Sequence, residues 1–182
     1  MLHPGLTAPS PTGPSGTRAL KVDPIRVMVV DDSAVVRGLV SRWVDEDPEL
    51  QAVARHANGK LAVEDVARSA PDVVVLDIEM PVMDGLTALP LLLAARPQLK
   101  VLVVSTLTKR NAEISFKALT RGALDYVPKP DSNHEITTSL EFRGEVIRKI
   151  KAVGSTLRRR PPIAAQPNLA RRPFSIVAPR II

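Results

Sequence analysis

The chain contains no cysteine. Disulfides, thiolate zinc sites and cysteine nucleophiles are therefore excluded from its chemistry. Histidine is nearly as scarce: His3, His56 and His134 are the only three, far apart in sequence, which argues against a histidine-rich metal centre. Long apolar runs are missing too. Stretches such as Val73–Leu76 and Val101–Val104 fall far short of the roughly 18 residues that a membrane span requires. The first residues show neither the basic stretch nor the apolar core of a secretory signal. The expected location is the cytoplasm, with no membrane partner.

What is present suffices for one folded domain with surplus at its ends: 182 residues, 45% hydrophobic and 24% charged. The net charge of +6 suggests a nucleic-acid partner until the charges are located. Residues 143–182 hold ten Lys and Arg against one acid, Glu145, whereas residues 1–142 hold 15 basic and 18 acidic residues. The basic character belongs to the tail, and no helix-turn-helix pattern follows Arg158, Arg159, Arg160, Arg171 and Arg172. A solvated linker is the expectation for them, and nucleic acid is not an expected partner. Prolines punctuate both ends, from Pro4 to Pro24 and from Pro161 to Pro179. The expected organisation is a disordered Pro/Gly/Ser-rich arm over 1–24, a folded body over 25–157, and a basic Pro/Arg-rich linker or tail over 158–182.

Within the body, short apolar runs alternate with helical patterns. Strands are expected at Ile25–Val30, Leu50–Arg55, Val73–Leu76, Val101–Val104 and Leu124–Val127. The central runs are continuously apolar, as suits parallel strands covered on both faces. Helices are expected at Ser33–Asp45, with Val36, Leu39, Val40, Trp43 and Val44 on one stripe, and at Asn58–Ser69, with Leu61, Val63, Val66 and Ala67. Further helices are expected at Leu86–Ala95, Asn111–Arg121 and Glu135–Leu157, the last with Ile136, Leu140, Ile147, Ile150 and Leu157 at helical spacing. Five β–α pairs in strict alternation predict an α/β fold: a doubly wound, five-stranded parallel sheet with helices on both faces.

In such sheets the chemistry sits beyond the C-terminal strand ends. The first strand ends in Asp31-Asp32, the third in Asp77, the fourth in Ser105-Thr106, and the fifth runs into Pro128-Lys129-Pro130. Three carboxylates, a hydroxyl and a lysine thus gather at one edge. Clustered carboxylates repel one another unless a hard cation sits among them, and oxygen-only ligands suit Mg²⁺. Mg²⁺ favours sharing a phosphate, for which Lys129 supplies a second positive charge. The constellation is that of a phosphoryl-transfer site. Other residues have plainer readings: Asp32 or Ser33 as a helix cap, Asp84-Gly85 as a turn, Trp43 as core packing, and no partner for His56 or His134.

The order DDS…LDIEMPVMDG…VVST…DYVPKP resembles the receiver domain of two-component response regulators, a flavodoxin-like fold, across Ile25–Leu157. The resemblance implies Asp77 as phosphoacceptor, attacking a phosphohistidine of a chemotaxis-type histidine kinase. It implies Mg²⁺ held by Asp31, Asp32, Asp77 and the backbone carbonyl of Glu79, with Ser105 and Lys129 engaging the phosphoryl oxygens. Tyr126 takes the aromatic switch position coupled to Ser105, and the Lys129–Pro130 bond is expected to be cis. Ser33–Gly38, LDIEMPVMDGL, Val103–Thr108 and ALTRGALDYVPKP look like the regulatory domain of chemotaxis protein-glutamate methylesterase. The Gly-x-Ser-Thr-Gly-Gly turn of that esterase is absent: Leu157 and three arginines follow Gly154-Ser155-Thr156. Phe174–Val177 could be the first strand of its catalytic domain. The output would go to a downstream protein or a separate effector domain, read by conformational switching; the alternative is the regulatory half of a truncated or split methylesterase. A haloacid-dehalogenase-like phosphatase needs an Asp-x-Asp pair, whereas Asp31 and Asp32 are adjacent.

Overall fold

A computed structural model describes residues 23–106, 116–130 and 132–158. Its elements run β1 (Ile25–Val30), α1 (Ala34–Asp45), β2 (Leu50–His56), α2 (Gly59–Ser69), β3 (Val73–Leu76), α3 (Gly85–Ala95) and β4 (Lys100–Thr106). A helical stretch at residues 116–120 (α4) precedes β5 (Asp125–Lys129), α5 (Asn133–Thr138) and α6 (Leu140–Arg158). The five strands form one parallel sheet in the order β2-β1-β3-β4-β5. The chain adds β2 on one side of β1 and the remaining strands on the other. The C-terminal ends of β1 and β3 therefore flank the point where the winding reverses, and a crevice opens there.

Side-chain alternation divides the core into two layers. Val27 and Val29 of β1, Val73 and Val75 of β3, and Leu102 and Val104 of β4 face the layer completed by α1 and α6. Met28, Val30, Val74, Leu76, Val101 and Val103 face the opposite layer, completed by α2 and α3. Both faces are covered, which is why these strands read as unbroken apolar runs. Hydroxyl, amide and carboxylate side chains start the helices: Ser33, Asn58, Asp84 and Ser132 each accept a hydrogen bond from a backbone N–H three residues on. Each such cap contributes about 1 kcal/mol. Pro90 lies inside α3 and cannot donate to the carbonyl four residues before it. That carbonyl, of Leu86, instead accepts from Arg121 Nη1 at 3.1 Å.

Several expectations need correction. The apolar period across Glu135–Leu157 predicts one helix, but Ser139 splits it. The Ser139 N–H closes α5 on the carbonyl of Glu135, and its hydroxyl accepts from the Phe142 N–H to open α6. Leu140 is consequently 81% exposed, and Phe142, Val146, Ile150 and Val153 form the buried stripe in its place. In α2 the inward face is Gly59, Ala62, Asp65 and Val66, while Leu61 is exposed. The last strand extends to Lys129, so that lysine is a strand residue. The Lys129–Pro130 bond is trans, as are the other peptide bonds among the described residues; trans is the intrinsically favoured isomer of an X–Pro bond by about 0.5–1 kcal/mol. Asn111–Ser115 of the fourth predicted helix, Phe174–Val177, and the side chains of His134 and Leu157 lie outside the described residues. Among the described residues no helix is long and apolar enough to cross a membrane.

Candidate functional site

Strand ends bring the acidic residues together. Asp31 follows β1, where its N–H donates to the His56 carbonyl at 3.1 Å, and Asp77 follows β3, where its N–H donates to the Val30 carbonyl at 2.9 Å. Lys129, the last residue of β5, reaches across the intervening strand end. Its Nζ lies 2.6 Å from Asp31 Oδ2 and 2.8 Å from Asp77 Oδ2, and all three side chains are buried. Each carboxylate is held at its other oxygen by a backbone N–H: Asp31 Oδ1 accepts from Ser33 at 2.9 Å, and Asp77 Oδ1 from Ile78 at 2.7 Å. Asp32 is exposed beside them, and carboxylate oxygens of Asp31, Asp32 and Asp77 lie within 4.8 Å of one another. Over them opens a cleft of about 380 Å³, lined by Asp32, Asp77, Glu79, Thr106 and Lys129 among others.

Two buried acids and an exposed third against one lysine leave excess negative charge at the cleft. Burial pushes the Asp77 carboxyl up from 3.8 to about 6; the Asp31 charge adds to this and Lys129 opposes it. Burial likewise raises Asp31, against the pull of Lys129 and the Ser33 N–H. For Lys129, burial alone would lower the pKa, but the charges and hydrogen bonds of Asp77 and Asp31 outweigh it and hold the ammonium above its usual range. An arrangement with surplus carboxylate charge, oxygen donors only and an open cleft fits a small hard cation together with an anion that Lys129 can meet.

The remaining predicted residues surround this centre. Ser105 is buried one residue below the cleft, with Thr106 at its lining, and the Ser105 hydroxyl has no hydrogen-bond partner among the described residues. The half-buried Tyr126 donates its hydroxyl to the Ser105 carbonyl at 3.1 Å. Glu79 is exposed at the cleft wall. Two contributors escaped the sequence reading. Arg37 of α1 donates to the carbonyls of Asp31 and Asp32. Gly85 lets α3 start hard against the loop after β3, because a Cβ there would collide with the Asp77 carbonyl oxygen, and its N–H donates to Ile78 at 2.9 Å. The Asp84-Gly85 turn signal was visible; its proximity to Asp77 was not. His56, for which the sequence offered no partner, bonds Asp65 at 2.9 Å and ties the end of β2 to α2.

Fold and site together define a doubly wound α/β domain whose topological crevice holds a lysine-bridged carboxylate cluster. The chain belongs to the response regulator receiver domain family, whose sequence profile matches residues 27–141. Within that family it is of the CheY/CheB type. It is similar to a protein-glutamate methylesterase/protein-glutamine glutaminase of the group 2 operon of Rhodospirillum centenum, at 49% identity over 97% of this chain and 43% of that protein. A protein-glutamate methylesterase/protein-glutamine glutaminase from Azospirillum brasilense is 52% identical over 85% of this chain and 40% of its own length. The chain thus spans less than half the length of these curated relatives. Among solved structures it resembles the response regulator domain of Thermotoga maritima CheB, with a TM-score of 0.63 and 35% identity over 76% of this chain and 99% of that one. It also resembles a CheX–CheY–BeF3–Mg complex from Borrelia burgdorferi, with a TM-score of 0.60 and 26% identity over 72% and 90% of the two chains.

Proposed function

We propose that Asp77 accepts a phosphoryl group from a phosphohistidine of a chemotaxis-type histidine kinase, and that the resulting acyl phosphate shifts the domain between two conformations read by a downstream protein or effector domain. The observation that carries this reading is the Lys129 ammonium, placed 2.6 and 2.8 Å from two buried carboxylates at the floor of an open cleft. In the step itself an Asp77 carboxylate oxygen attacks phosphorus, the P–N bond breaks, and its electron pair remains on the imidazole nitrogen. Mg²⁺, held by Asp31, Asp32, Asp77 and the Glu79 carbonyl, would neutralise charge on the carboxylates and the transferring group. Lys129 lies close enough to exchange part of its carboxylate contacts for a phosphoryl oxygen. The buried Ser105 hydroxyl is a donor in search of an acceptor, and a phosphoryl oxygen supplies one. Its neighbour Tyr126, bonded to the same residue's carbonyl, is the aromatic side chain placed to respond.

A second reading concerns the longer protein. Methylesterase relatives match nearly all of this chain within less than half of their own length, which favours a regulatory segment whose target is an esterase domain. In either case the first test is the same. Wild-type protein incubated with Mg²⁺ and acetyl phosphate should gain one phosphoryl group by intact mass, and Asp77→Asn should gain none. A variant that still takes up one phosphoryl group at the wild-type rate would overturn the assignment of Asp77.

A further inference from the structure

One side chain bonds both backbone carbonyls of the acidic pair. Arg37, in the first turn of α1, folds back toward the helix start; its Nη1 donates to the Asp31 carbonyl at 2.6 Å and to the Asp32 carbonyl at 3.3 Å. Helical bonding begins only afterwards, with the Arg37 N–H on the Ser33 carbonyl at 2.9 Å. The carbonyls of Asp31 and Asp32 thus lie ahead of the helix and behind the β1 ladder, where no regular element would satisfy them. The Asp31 carboxylate has two further restraints, the Ser33 N–H and Lys129. Asp32 is exposed, and the Arg37 contact to its carbonyl fixes the peptide from which its carboxylate projects.

We propose that Arg37 is a positioning residue for cation binding: by bonding the two carbonyls at once, it fixes the β1–α1 loop in the rotation that keeps the Asp31 and Asp32 carboxylates beside Asp77. This rests on the reading of the cleft as a Mg²⁺-dependent phosphoryl acceptor. Groups that orient metal ligands typically affect metal affinity by about 10–100-fold when removed. A rival account treats Arg37 simply as a nearby positive charge that eases carboxylate repulsion. The two accounts differ in sign. Loss of a positioning clamp weakens Mg²⁺ binding, whereas loss of a mere counter-charge leaves the site more negative and tightens it.

The test is Mg²⁺ titration by calorimetry of wild type, Arg37→Ala and Arg37→Lys, with thermal unfolding of each in EDTA. Arg37→Ala should raise the Mg²⁺ Kd by about tenfold or more. The lysine variant, with the charge but a shorter, single-ended donor, should fall between it and wild type. At saturating Mg²⁺, phosphoryl uptake from acetyl phosphate should return to the wild-type extent, with only the half-saturating Mg²⁺ displaced upward. An unchanged or tighter Kd in Arg37→Ala, with or without a lowered Tm, overturns the proposal. Should the alanine variant fail to fold, a wild-type Kd in Arg37→Lys does the same. A wild-type protein that binds no Mg²⁺ overturns the functional reading itself, and the inference with it.

Discussion

Burial makes the ionised Asp77 carboxylate a burden on the fold that carries it. Burial and Asp31 raise its pKa from 3.8 to about 6, and Lys129 offsets only part of that. A carboxyl whose folded pKa exceeds its unfolded value binds its proton more tightly in the folded chain. The stability it contributes is fully present below about pH 4 and is lost as the pH rises through 6. Asp77→Asn abolishes that titration while its carbonyl oxygen can still accept from the Ile78 N–H. In EDTA at pH 7.5 the variant should therefore be more stable than wild type by about 1–3 kcal/mol, since one pKa unit corresponds to about 1.4 kcal/mol. The gain should vanish by pH 4. Thermal melts across this range check it, and curves that stay parallel would show that Asp77 carries no such penalty. At this scale the sequence was partly legible. Asp31, Asp32 and Asp77 stand directly after apolar strands and Lys129 ends one, so strand order alone gathered them. Arg37 and Gly85 act through backbone carbonyls, and a carbonyl contact leaves no mark on residue type at its other end.

Among the elements, α6 shows how far the folded unit extends past the family match, which ends at residue 141. Val146, Ile150 and Val153 are buried beyond that point, and Gly154 presses on the first strand: a Cβ there would meet Ile25 Cγ2 and Cδ1, each at 2.8 Å. Gly38 in α1 has nothing within 4 Å of the corresponding position. The same substitution should therefore have opposite effects. Gly38→Ala should stabilise by about 0.5–1 kcal/mol through helix propensity, whereas Gly154→Ala should destabilise by about 1 kcal/mol or more through overpacking. Ile25→Val, which trims Cδ1, should cost less in the Gly154→Ala background than in wild type. Denaturant unfolding of the three variants and the double mutant decides this, and strict additivity would mean that Gly154 and Ile25 do not press on each other. Element existence was readable because β-branched runs and amphipathic stretches alternate cleanly. Details failed where an element's inward face is not apolar or its break is not marked. Asp65 faces inward in α2 because His56 and Arg68 satisfy it, and periodicity in apolar letters cannot show that. Ser139 breaks α5 from α6 through one hydroxyl while the apolar spacing runs straight on.

Across the whole molecule, the cleft and α6 are joined by a short chain of contacts. Among the described residues the Ser105 hydroxyl has no partner, its carbonyl accepts from the Tyr126 hydroxyl, and the Tyr126 carbonyl accepts from Lys149 of α6, which also bonds Asp125 at 2.9 Å. Tyr126 is thus pinned at both ends, one to the strand beneath the cleft and the other to α6. A change in how Ser105 is bonded should alter the tension on Tyr126 and be felt in α6. Spatial continuity alone does not establish coupling; a perturbation at one end with a readout at the other does. Amide hydrogen exchange of wild type with and without Mg²⁺ and beryllofluoride should change protection in β5 and in the Glu145–Ile150 turn of α6. Lys149→Met keeps the aliphatic stem but removes the ammonium that reaches Asp125 and Tyr126. In that variant the phosphoryl adduct on Asp77 should still form with the same stoichiometry, while the change in α6 shrinks and that around Ser105 remains. If α6 responds as strongly in Lys149→Met as in wild type, the signal leaves the cleft by another route. Loss of the adduct itself would instead place Lys149 in the acceptance step.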